Sequence, residues 1–415
     1  GLPQPVDLAR NLSHLPGFVF LDSSLADGVT RPGKQDRFSI LTACPERTIE
    51  GDIFDEIDFA CLRSLFLANI EDDKNHSDPG FPTSGLYGTV SYEGAFRFGL
   101  YRECLVYDHL KECWFELGNL SEKRLPRQKT TGLRSIDFQS GMDRETFCDH
   151  VRTAQDYIAA GDIYQVNLSH RFKAEVAADF DSFELYQSLR DRSPAPYSAF
   201  LHDETREVIS SSPELFLSIS GRAIQTRPIK GTRPRFRDRE KDEKSAYDLL
   251  TSNKEVAELI MITDLERNDL GQICEFGSVE ATELLKLERF AQVFHLVSTV
   301  EGTLREEVDA VSALRSCFPG GSITGAPKKR AREIIAELEP VDRGLYTGTI
   351  GCFGFNGESR FNIAIRTAIR EDDGLHFHVG AGIVSDSDPE KEWEETLHKA
   401  AGILQATETL AMHPG

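Results

Sequence analysis

One lysine, Lys230, sits in the run Thr226-Arg227-Pro228-Ile229-Lys230-Gly231-Thr232-Arg233-Pro234-Arg235. Proline before it fixes φ and glycine after it frees the backbone, so the side chain is held at a defined place on a tight bend. Such a lysine is a nucleophile once its ammonium gives up a proton, although the same pattern describes a loop lysine among arginines. Glu214 follows three serines and a proline and leads into the apolar run LFLSI; a carboxyl buried there has a raised pKa. Glu255 and Glu258 are three apart, as are Glu392 and Glu395, so each pair shares a helix face. Two such faces meeting make an oxygen-rich site suited to Mg²⁺. With 68 acidic residues in the chain, most pairs at this spacing are solvated faces. Gly380 and Gly382, around Ala381 in HVGAGIV, let backbone N–H groups approach an anion, or mark a bulge. Arg366 lies in the apolar run NIAIRTAI, read as a strand, and must find an anionic partner or leave the sheet. His295, among apolar neighbours, reads as a core histidine.

Other chemistries fail on their residues. In GGSITGAPKK the Gly-Lys-Ser/Thr of a phosphate loop is replaced by Gly325-Ala326-Pro327, and no H-E-x-x-H or G-x-G-x-x-G occurs. Ile350 stands where a nucleophile elbow at Cys352 needs its first glycine. The net charge of −21 repels nucleic acid, acidic membranes and small anions. An anionic substrate therefore needs a local cluster of cations or N–H groups. The 8 cysteines include no C-x-x-C, as expected of free thiols in a reducing compartment. No apolar run has membrane-spanning length and no signal pattern opens the chain, so a cytoplasmic location is expected.

The elements that must position these residues are strands and a few long helices. The first third is irregular, with FVFLDSS as a strand and DFACLRSLFLANI as a helix. Residues 118–141 read as a polar linker. From Met142 the pattern tightens: a helix ending at Gly161, strands over IYQVNLSHRFKAEV, YSAFLHD, EVISSSPELFLSIS and RAIQTRPIKG, then long helical sequence to Gly271. FAQVFHLVSTVEG, GTIGCFGF, RFNIAIRTAIR and LHFHVGAGIVS read as strands, APKKRAREIIAELE and PEKEWEETLHKAAGILQAT as helices. This is an α+β pattern with antiparallel sheets and helices outside.

The motifs SSSPELF, RPIKGTRPR, EVAELIMITDLERNDLG, FHLVSTVEG, PGGSITGAPK, YTGTIGCF, HVGAGIVSDSDP and EWEETLHKA, in this order, resemble the chorismate-utilising enzyme family over residues 142–410, and more weakly over the first 140. The resemblance implies two large packed antiparallel sheets, with residues 1–140 and 141–415 interwoven in one structural domain. It implies Mg²⁺ on Glu258 and Glu395, with Glu255 and Glu392 in support. It implies substrate carboxylates on Arg366, Tyr346, Lys399 and the backbone of Gly380, Ala381 and Gly382, with Ser322 and His295 near the ring. Glu214 matches the family's acid. Gln165 stands where water-adding members carry a lysine base. Lys230 is similar to the nucleophile of the branch that aminates chorismate at carbon 4; the anthranilate-forming branch usually has alanine there. Since the sequence shows no glutamine-amidotransferase elbow, the resemblance implies ammonia from a separate amidotransferase subunit. Leu21-Asp22-Ser23-Ser24 resembles the strand where members bind tryptophan.

Overall fold

The structure is a computed structural model describing residues 3–24, 37–70, 80–123, 136–290, 293–372 and 374–412. Most of the expected linker, 124–135, lies outside the described residues. Alternating apolar residues build two antiparallel sheets. The 11-stranded sheet runs from Gly325–Ala326 through Gln165–Glu175, Gly374–Ile383, Thr367–Glu371, Arg206–Ser212, Tyr197–His202, Phe18–Asp22, Phe38–Thr42 and Cys104–Asp108 to Cys113–Leu117, with Gln139–Ser140 also on Gln165–Glu175. The 10-stranded sheet runs from Ile229–Pro234 through Val293–Thr303, Ala223–Arg227, Leu215–Ser220, Glu358–Asn362, Thr349–Gly354, Gly85–Val90 and Ala95–Tyr101 to Arg47–Asp52; Glu280–Arg289 adds to Val293–Thr303. Both sheets draw strands from either side of residue 140.

The period of two decides which face each residue joins. In Phe18–Asp22, Phe18 and Phe20 pack with Leu8, Leu12, Leu185 and Ile403 of the covering helices. Val19 between them packs with Ile40, Val106 and Val208, and with Tyr87, Ile350 and Cys352 of the other sheet. Burying the apolar side chains on both faces supplies the main driving force, roughly 1.5–3 kcal/mol for each large one.

Two segments carry the chain from one sheet to the other. Arg206–Ser212 belongs to the 11-stranded sheet and Leu215–Ser220 to the 10-stranded one, so Pro213 and Glu214 form a crossover. The return runs from Glu358–Asn362 to Thr367–Glu371. The crossovers are tied together: Ile363 N–H donates to Glu214 O at 3.0 Å, Ser211 N–H to Arg366 O at 3.1 Å, and Ser212 Oγ to Ile363 O at 2.6 Å. The single strand expected over RFNIAIRTAIR is therefore two strands. Arg366 sits in the bend between them at φ +50°. A buried arginine cannot be paid for inside an apolar sheet, and the bend takes it out.

The helical stretch before Gly271 is also broken. Arg239–Leu250 ends, and Ser252 caps Asn253–Gly271 by accepting from Glu255 N–H. The C-terminal helix is Pro389–Met412. Among the described residues no helix is long and apolar enough to cross a membrane.

Candidate functional site

Lys230 lies on the terminal strand Ile229–Pro234, whose register with Val293–Thr303 slips between Lys230 and Thr232. Gly231 makes that slip at φ +74°, a conformation costly for other residues. It also lets the strand approach the helices Arg239–Leu250 and Asn253–Gly271: a Cβ on Gly231 would stand 2.6 Å from Leu249 Cδ1 of the first and 3.0 Å from Glu255 Oε2 of the second. Lys230 Nζ donates to Ser322 O at 3.3 Å and stands 3.9 Å from Glu258 Oε2.

Ser322 connects the lysine to the acid. Its hydroxyl donates to Glu214 Oε1 at 2.6 Å. Burial pushes the Glu214 carboxyl up, against the pull of Ser322 and Lys230. The crossover thus holds a largely desolvated acid beside a lysine. Gln165 closes the same space: a Cβ on Gly382 would lie 2.8 Å from Gln165 Nε2 and 3.6 Å from Lys230 Nζ. Gln165 is fully buried, yet among the described residues neither its Nε2 nor its Oε1 has a hydrogen-bond partner. An unpaired buried amide is costly, and here it faces glycine and lysine.

A second set gathers at Gly380. A Cβ there would be 2.7 Å from Tyr346 Oη, and Lys399 Nζ donates to Gly380 O at 2.8 Å. Arg343 braces Tyr346, standing 5.7 Å from its ring and donating to Asn167 O at 2.6 Å and Ile323 O at 3.0 Å. The Ala381 side chain turns into the core with Val166 and Leu168, leaving only its backbone on offer. Arg366 has no ion pair among the described residues; burial lowers its pKa, opposed by Glu214. His295 is buried, and its Nδ1 is 3.0 Å from Thr232 Oγ1. Burial, then Arg366, pushes it down to about 3, so it is neutral.

The four glutamates come from two helices. Lys399 pairs with Glu395 at 2.8 Å. Glu392 Oε1 accepts from Ser387 Oγ and Lys254 Nζ, each at 2.8 Å. Glu258 Oε1 and Glu392 Oε2 are buried without a hydrogen-bond partner among the described residues, and burial raises the Glu258 pKa against Lys230 and Lys254. Two orphaned carboxylate oxygens on facing helices fit a hard dication in donor type. Among the described residues, no three such side chains converge closely enough to hold a metal ion, and lysines stand against the acids.

Sequence reasoning missed Lys254, although it lies four residues before Glu258 on the same face. It also missed the support under the Gly320–Ala326 loop. Glu266 Oε1 accepts from Gly321 N–H at 3.1 Å, and Lys328 pairs with Asp269 at 2.6 Å. Burial, with Asp269 nearby, pushes Glu266 up to about 7. The fully sequence-legible signal was two acids in DLERND on the buried face of a helix.

A cavity of about 40 Å³ lies beside Leu21, Asp22, Phe38, Tyr197 and Ile350. It has room for little more than water.

The sequence matches the chorismate binding enzyme family over residues 33–405. It is 35% identical to aminodeoxychorismate synthase component 1 of Bacillus subtilis over 423 aligned positions, covering 90% of this chain and 89% of that protein. It is 47% identical to an anthranilate synthase component 1 of Haloarcula marismortui over 307 positions, covering 72% of this chain and only 62% of that protein. Anthranilate synthase component I from Streptococcus pneumoniae superposes with a TM-score of 0.77 at 32% identity, over 91% of this chain and 94% of that one. The menaquinone-specific isochorismate synthase from Escherichia coli shares the fold, with a TM-score of 0.75 at 19% identity over 99% and 92% of the two chains.

Proposed function

The chain belongs to the chorismate binding enzyme family, and from that premise we propose that it aminates chorismate at carbon 4, acting as component I of an aminodeoxychorismate synthase. The observation that carries this reading is Lys230 Nζ, 3.3 Å from Ser322 O and 3.9 Å from Glu258, beside the Ser322–Glu214 acid. Neutral Lys230 attacks carbon 2 of the ring. Both double bonds of the ring diene shift by one position, from C1=C2 and C5=C6 to C1=C6 and C4=C5, and the carbon 4 hydroxyl leaves as water with the proton of Glu214. Ammonia then attacks carbon 4, both double bonds shift back, and Lys230 is expelled as the neutral amine. Glu214 regains a proton from solvent or the incoming nitrogen. The pyruvyl ether is untouched throughout.

Arg366, Lys399, Tyr346 and the Gly380–Gly382 backbone hold the substrate carboxylates, supplying the positive field that the charge of −21 denies elsewhere. Ser322 and neutral His295 border the ring. Gln165 lines it without acting as a base, so water is not activated. Glu258 and Glu395, with Glu255 and Glu392 in support, would hold Mg²⁺, which when bound neutralises a substrate carboxylate. Ammonia reaches the site from a separate glutamine amidotransferase subunit. A tryptophan near Leu21–Ser24, as the resemblance implies, would be a structural or inhibitory ligand; Leu21 and Asp22 border a cavity of about 40 Å³, and the Asp22 carboxylate accepts from Ser39 and Tyr186.

The second reading is anthranilate synthesis, favoured by relatives at 41–47% identity that carry that name. The purified chain, incubated with chorismate, Mg²⁺ and ammonium salt, separates the two. Aminodeoxychorismate without pyruvate is expected; anthranilate with stoichiometric pyruvate would establish the second reading.

A further inference from the structure

Lys254 has no place in the reaction just described. It opens the helix Asn253–Gly271, one turn before Glu258. Its Nζ donates to Glu392 Oε1 at 2.8 Å and stands 4.0 Å from Glu258 Oε1. One ammonium therefore joins the two helices that carry the acidic pairs. It stands among the oxygens that lack partners, since Glu258 Oε1 and Glu392 Oε2 are both buried and unsatisfied.

The other two lysines are differently engaged. Lys399 also donates to Gly380 O, and Lys230 donates to Ser322 O. Lys254 has Glu392 as its one hydrogen-bond partner among the described residues. Its side chain is 39% exposed, against 11% for Glu258 and 3% for Glu392. The ammonium can swing into water on its flexible stem at small desolvation cost, whereas the carboxylates cannot leave.

We propose that Lys254 is a resident counter-cation of the acidic site, competing with Mg²⁺ for the carboxylates of Glu258 and Glu392 and so setting how tightly the site takes the dication. Without a dication, two desolvated carboxylates on facing helices need a positive charge between them, and Lys254 supplies it. When a dication enters, the ammonium is a like charge a few ångströms away and must withdraw or share its oxygens. Lys254 is thus a positioning residue that acts through the metal ligands. This inference rests on the Mg²⁺ reading above.

The test is calorimetric titration of Mg²⁺ alone into the purified chain without chorismate, for wild type, Lys254→Met, Lys254→Arg and Glu258→Gln. Removing the competing charge should tighten Mg²⁺ binding about tenfold in Lys254→Met, the scale of one like charge removed from a partly solvated site. Lys254→Arg, which keeps the charge, should stay within about twofold of wild type, a margin well inside one unit of ln K. Lys254→Met should also melt lower than wild type without Mg²⁺ and gain more on saturation. If Lys254→Met does not fold, Lys254→Gln carries the same expectation. Unchanged or weaker binding in the neutral variant, with binding abolished in Glu258→Gln, overturns the role of Lys254 and spares the metal site. Equal tightening in Lys254→Arg also overturns it, because the charge would not be the cause. Wild-type affinity in Glu258→Gln, or no Mg²⁺ binding by wild type, overturns the metal reading itself.

Discussion

Two buried acidic centres in this molecule are finished to different degrees. Asp22, at the end of its strand, has a fully buried carboxylate with both oxygens engaged: Oδ1 accepts from Ser39 at 2.8 Å, and Oδ2 from Tyr186 at 2.8 Å and Arg190 at 2.7 Å. The Glu258–Glu392 centre is nearly as buried, yet each carboxylate leaves a buried oxygen without a hydrogen bond among the described residues. Gln165, nearby, leaves its whole amide unpaired. A satisfied buried acid contributes to the fold; an unsatisfied one costs it stability. Burial alone does not distinguish the two centres, whereas the accounting of partners does.

Substitutions should separate the two centres into activity without stability and stability without activity. The largest effect is expected for Glu214→Gln, which keeps the shape and removes the proton donor. Turnover should fall by about 10²–10⁴-fold, the usual worth of a positioned general acid, with little change in thermal midpoint; steady-state kinetics and melting measure both. Glu258→Gln should likewise lose turnover and Mg²⁺ binding while its fold persists, because a hard cation loses a charged oxygen. Asp22→Asn should do the reverse. Leaving Arg190 without its anion costs about 3 kcal/mol, the low end for breaking a buried pair, since Arg190 retains some exposure. Denaturant unfolding should show this loss, while chorismate turnover per folded molecule stays near wild type. If Asp22→Asn removed activity as Glu258→Gln does, the comparison would fail.

pH sharpens the same contrast. Burial raises the Glu214 pKa, and the protonated form is the one that donates. Turnover should therefore fall as pH rises through that raised value, and Glu214→Gln should lack this limb. The smallest effect concerns Glu266, which burial pushes up to about 7. Its folded-state pKa is raised, so its contribution to stability is full below the ordinary value of 4.5 and is lost as pH climbs from there through about 7. Glu266→Gln mimics the neutral acid, and its melting temperature should decline less than wild type between pH 4.5 and about 7 and run parallel to it above, a difference of about 1–3 °C.

Much of this was legible in the sequence because strands, caps and glycine slips are local. Lys230 on its bend, the shared faces of Glu255 with Glu258 and of Glu392 with Glu395, and the α+β pattern follow from periods and turn residues. The crossovers were not. Ser212-Pro213-Glu214 and Ile363–Arg366 read as parts of strands, since which sheet a strand joins depends on pairing distant in sequence. Lys254 was invisible for a related reason: its meaning lies in Glu392, on another helix. The completed state of Asp22 depends on Ser39, Tyr186 and Arg190, which no spacing brings together. Identity to relatives of both names narrows the chemistry to chorismate and leaves the product to the lysine.

The most direct test of the account is covalent. The purified chain is mixed with chorismate and Mg²⁺ without ammonia, quenched, and examined by intact mass and peptide mapping. An adduct with the mass of chorismate less one water is expected on Lys230, absent in Lys230→Ala and discharged as aminodeoxychorismate when ammonia is added before quenching. Production of aminodeoxychorismate by Lys230→Ala at the wild-type rate with saturating ammonia, and no adduct on the wild-type lysine, would contradict it.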